Sequence, residues 1–186
     1  INFLDEHVRK YLLKVSRQEL AVGQGRELNG LLSLLDDMEL MGDVITRQMV
    51  PLIEKKRRLD VDFSAEGKKE LLAYHSKIEK QLIRLQDALT DMDISLAQKM
   101  RKKKKSYARF DSRIRRHHLK RLLAEQKESL ATHAIHVELL DAMHHMNRYC
   151  AEIAKFLLQS GPHSLKENGE AAVFIDKPKT SEKSIE

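Results

Sequence analysis

Between Leu28 and Leu52 the apolar residues step by three and four: Leu28, Leu31, Leu35, Met38, Gly42, Ile45, Met49 and Leu52. That rhythm keeps one stripe of a helix against a partner along its whole length, and it is not the alternation of a strand. Beside the stripe Asp36, Glu39 and Asp43 fall on neighbouring turns. Like charges at that spacing cost roughly 0.2–0.5 kcal/mol per pair unless something neutralises them. A cation or a basic partner there would convert the cost into a binding site. Gly42, inside the stripe, costs about 1 kcal/mol against alanine, which a close approach to its backbone would explain.

The same rhythm recurs along the chain. Residues 1–15, with Leu4, Val8, Tyr11, Leu12 and Val15 apolar, read as a short helix or a connector from an upstream region. Ser16 and Glu19 form a capping box for a second helix reaching about Arg58, with a kink expected near Pro51. Ser64 caps the next helix, whose stripe is Leu71, His75, Ile78, Leu82, Leu85, Leu89 and Met92, and Asp93 caps a third over about 94–124. A fourth, over about 128–159, carries two adjacent apolar stripes and so packs on two neighbours. These features predict an all-α, antiparallel up-and-down bundle of three to four long helices over 16–160. The polar stretch 161–186 reads as a flexible tail.

Composition matters chiefly through charge. A net charge of +6 and a pI near 9.3 admit nucleic acid, acidic lipid or phosphate-bearing partners. The surplus is concentrated in Arg101, Lys102, Lys103, Lys104 and Lys105, which interrupt the third helix's stripe and are expected to overhang solvent. No nucleic-acid motif accompanies them, so the run reads as an anion contact or a contact with an acidic membrane surface. The lone cysteine, Cys150, rules out an internal disulfide and lies on an apolar stripe, as a small core residue would. No run approaches the ~18 apolar residues of a membrane span. The initial Ile1 suggests a piece of a longer protein.

Phosphate-loop, paired-cysteine and metalloprotease motifs are missing from the chain. The chemical signal is instead a set of ligand-type side chains on different helices. Asp36, Glu39 and Asp43 stand on the second; His117 and His118 on the third; His133, His136, Asp141, His144 and His145 on the fourth. Facing helices that present carboxylates and imidazoles are how helical di-metal proteins bind iron or manganese. Their Glu-x-x-His unit is absent, and Asp141-x-x-His144 is the nearest arrangement. The carboxylates could equally pair with an arginine such as Arg84 or Arg148.

At Glu39-Leu40-Met41-Gly42-Asp43 the chain resembles the PhoU family, whose hallmark helix carries two acids four residues apart. The segment from His136 to Leu158 resembles the second copy of that helix, ending on Ile153-Ala154, with His144 and Arg148 where the family has its two acidic ligands. His118-Leu119-Lys120-Arg121-Leu122 and Ile135 to Asp141 resemble segments of the PhoU domain attached to bacterial sodium/phosphate cotransporters. The resemblance implies a non-enzymatic regulatory domain in sodium-dependent phosphate uptake, at the cytoplasmic face of the inner membrane. Its implied partner is a membrane-embedded phosphate-transporter portion of the same chain, beside a homo-oligomer or an acidic membrane surface, with no nucleic acid. It further implies a transition metal, iron, zinc, manganese or nickel, held by Glu39 and Asp43 with Asp36 and His144 in support, to which the Asp141-x-x-His144 spacing adds Asp141. The alternatives are a stand-alone PhoU-type signalling protein contacting a transporter and a sensor kinase, and a metal-dependent helical oxidase or hydrolase.

Overall fold

A computed structural model describes residues 2–160. The expected tail at 161–186 lies outside them. Helix α1 spans Asn2–Val15; α2 spans Val22–Asp43 and continues through a π turn, Val44–Met49, into α3, Val50–Arg58. Helices α4 (Ala65–Asp91), α5 (Ile94–Leu123), the short α6 (Lys127–Ala131) and α7 (His133–Ser160) follow. The described chain is an all-α helical bundle in which α7 is the central member, packed on α2, α4 and α5.

Local chemistry explains most boundaries. Ser64 accepts a bond from the Gly67 amide at 3.2 Å, and Asp93 accepts from the amides of Ser95 and Leu96 at 2.7 and 3.1 Å, so both expected caps are present. Ser16 does not open α2. Its hydroxyl donates to the Leu13 carbonyl at 2.9 Å and closes α1 instead, while α2 is capped at Ala21, whose amide donates to the Gln24 side chain at 3.0 Å. Between α6 and α7 the Thr132 hydroxyl turns back onto the Glu128 carbonyl at 2.7 Å, splitting what the sequence predicted as one fourth helix.

The kink expected at Pro51 begins ahead of it. Proline lacks an amide hydrogen, and its ring crowds the carbonyl four residues back. The chain meets both demands by widening: the Val50 amide donates to Ile45, five residues earlier, and Pro51 enters in the first turn of α3. Within α2 and the π turn, Met41 and Val44 are buried, whereas the expected stripe members Met38 and Ile45 are exposed. The two-stripe face of α7 is confirmed, with Ile135, Leu139, Leu140, Met143, Met146, Ile153 and Leu157 all buried. Cys150 is fully buried among them, and burial pushes its thiol up to about 12, as befits a packing residue.

Candidate functional site

The acidic ladder of α2 is neutralised from an unexpected direction. Arg9, on α1, donates from one nitrogen to Asp5 at 2.8 Å and to Asp36 at 2.9 Å, and the same nitrogen lies 4.0 Å from Glu39. Bonds to Asp5 and Asp36 hold this guanidinium above its ordinary range. Asp43 pairs within its own helix, 3.2 Å from Arg47. The arginines considered from sequence take other roles: Arg84 bonds Gln81 and Tyr107, and Arg148 bonds Tyr149. The acid of this stretch that loses solvent toward α7 is Asp37. Burial raises its pKa, with Glu152 adding to the effect and Arg148 opposing it.

Asp141 and His144 belong to a second group. Asp111, the single carboxylate of α5, is buried and accepts from Arg115 Nε on both oxygens, at 3.2 and 3.1 Å. Arg115 reaches on to Asp141 at 2.7 Å, and His144 Nδ1 lies 3.7 Å from Asp111. Burial works against the Arg115 charge, but the bonds from Asp111 and Asp141 outweigh it and raise its pKa. Tyr74, fully buried, has a hydroxyl without a hydrogen-bond partner, and burial raises its pKa with the Asp111 charge adding to the effect.

The residues present do not fit the expected metal centre. Among the described residues no group of three or more His, Cys, Asp or Glu is placed to hold an ion. Asp36, Glu39, Asp43 and Asp141 each have a guanidinium within 4.0 Å, with which a divalent ion would have to compete. His144 faces Asp111 and is not brought together with the acids of α2. Arg9, Asp111 and Arg115 went unread in the sequence. One signal was available: α5 carries six lysines, six arginines and a single acid, and such an acid is a natural buried counter-charge.

Beside Asp141 a groove of about 400 Å³ separates the π turn and α3 from α7. Arg47, Lys55 and Arg58 line one wall and Glu138 and Asp141 the other, with Gln48, Pro51 and Leu52 between. No hydroxyl, thiol or imidazole belongs to that lining. Its lining offers fixed charges of both signs. The basic run only partly overhangs solvent: Arg101, Lys102, Lys103 and Lys105 are exposed, but Lys104 pairs with Glu152 at 2.8 Å and its carbonyl accepts from Asn147 at 3.4 Å, tying α5 to α7.

The chain is similar to phosphate export proteins. It is 25% identical over 170 residues to the "Putative inorganic phosphate export protein YjbB" of Salmonella typhimurium strain LT2, covering 91% of this chain and 31% of that protein. Against the protein of the same description from Escherichia coli K12 it is 24% identical over 159 residues, covering 86% of this chain and 29% of the relative. The chain therefore spans about a third or less of the length of the curated relatives it matches. No protein-family model matches it, and no solved structure does. These relatives correct the expected partner. Their description is of an export protein, not of a regulatory domain fused to a sodium-dependent transporter, so a membrane-embedded transporter portion of the same chain is withdrawn as the partner. No helix among the described residues is long and apolar enough to cross a membrane.

Proposed function

We propose that this chain is a non-enzymatic PhoU-type helical module acting in phosphate movement or its control, with export replacing the sodium-dependent uptake expected from sequence. It works by contact, meeting a phosphate transporter and a sensor kinase through its charged faces at the cytoplasmic side of the inner membrane. The observation that carries the reading is the similarity to phosphate export proteins over 86–91% of the chain. The acidic helix Glu39 to Asp43 and the mixed-charge groove with Glu138 and Asp141 support it, because both offer a partner fixed charges and neither assembles a nucleophile with a base.

The test is efflux of labelled inorganic phosphate from loaded cells with the gene deleted, restored, or restored as Glu138→Lys/Asp141→Lys. Deletion should change the efflux rate, the native sequence should restore it, and the double variant should fail to restore it while remaining folded by circular dichroism. Efflux that is the same with and without the gene would overturn the reading. A change confined to sodium-driven uptake would return the role to uptake.

A further inference from the structure

Helix α5 carries a one-sided cationic face that neither the core nor the groove uses. Lys102, Lys105, Arg109, Arg113, Arg116 and Lys120 follow one another at steps of three and four, and all six are exposed. At 1.5 Å per residue the stripe is about 27 Å long. The carboxylate contacts of α5 are made by other residues, namely Lys104, Arg115, His117 and Arg121. The six cations of the stripe have no carboxylate partner among the described residues. At its C-terminal end the same face continues into Leu123, 78% exposed, with Leu119, 54% exposed, one turn earlier.

We infer that this face of α5 docks on an anionic phospholipid surface, the six cations meeting phosphate-bearing headgroups while Leu119 and Leu123 enter the interface. Charge complementarity makes the first part of the case: a straight row of unpaired cations gains from a flat sheet of negative charge and otherwise only repels itself. The leucines decide between lipid and nucleic acid. A phosphodiester backbone would leave both in water, whereas the headgroup boundary of a bilayer buries them. The arc also lacks a stacking ring, since Tyr107 is buried and Phe110 is partly covered by Lys77, 4.7 Å from its centre. The inference does not rest on the phosphate-export reading.

The experiment is co-sedimentation of the full chain with vesicles of phosphatidylcholine alone and of phosphatidylcholine mixed with phosphatidylglycerol, at low and high salt. Binding is expected only to the mixed vesicles, weakened by salt, and about a hundredfold weaker in Arg109→Glu/Arg113→Glu/Arg116→Glu, as loss of three near-surface cations implies. Leu119→Ser/Leu123→Ser should weaken it further at high salt than at low. All these positions are exposed, so both variants should keep the native helical spectrum. Equal binding to neutral vesicles, binding untouched by the charge reversals, or no binding at all would overturn the proposal. Tight binding to a random-sequence duplex with none to the vesicles would overturn it in favour of nucleic acid.

Discussion

Asp36 and His136 show two opposite fates of a polar side chain in a bundle. Asp36 remains 57% exposed and finds its counter-charge in Arg9, an arrangement worth no more than about 1 kcal/mol at the surface. His136 is 1% exposed, stacks on His118 at 4.1 Å between ring centres, and has no hydrogen-bond partner for either ring nitrogen. Burial pushes its pKa down to about 3, and pushes His118 down to about 4, with Arg121 and His133 nearby adding to the effect in both. Both imidazoles are therefore neutral in the folded chain and must be protonated on unfolding below their ordinary value of 6.5. The stabilisation is complete above that value and is lost as pH falls toward 4. Urea titrations should show about 1–3 kcal/mol lost between pH 6.5 and 5, and His136→Leu should flatten the slope. A slope unchanged by that substitution would contradict the assignment. At this scale the sequence showed which residues could carry charge but not which would meet. Arg9 and Asp36 are 27 positions apart, and nothing periodic links α1 to the acids of α2.

Elements were far more legible, because periodicity and capping act over a few residues. Ser64 and Asp93 cap as their chemistry requires, and the breadth of the apolar face on α7 correctly announced several neighbours. The errors have one physical source: a turn can widen or stop wherever a local acceptor is available. The π turn before Pro51 absorbs the proline, and the Ser16 hydroxyl donates to the carbonyl of Leu13 rather than capping α2. The tightest backbone approach described for α2 is at Gly30, where an added Cβ would overlap the Phe156 ring of α7, whereas at Gly25 it would meet nothing within 4 Å. Gly30→Ala should accordingly destabilise by about 1–3 kcal/mol through overpacking, read by thermal or urea unfolding. Gly25→Ala should be neutral or stabilise by up to about 1 kcal/mol, since helix propensity favours alanine. Equal effects at the two positions would contradict the packing of α2 on α7.

For the molecule as a whole, charge is sorted by helix. Asp36 and Glu39 of α2 face Arg9 of α1 and Asp43 faces Arg47 of the π turn, α5 keeps one buried acid for Arg115 and ties Lys104 and Arg121 to neighbouring helices, and the cations of its outer stripe point outward. The resemblance to PhoU proteins led toward a metal on α2, and in this arrangement the Arg9 guanidinium pairs with Asp36 and lies 4.0 Å from Glu39. The chain is similar to phosphate export proteins over 86–91% of its length, and the proposed role in phosphate movement rests on that similarity. The most direct test is metal content by elemental analysis of the full chain purified without chelator, alongside Glu39→Ala/Asp43→Ala. The account predicts iron, zinc, manganese and nickel well below one ion per chain in both proteins. A stoichiometric metal in the native sequence that disappears in the double variant would contradict it.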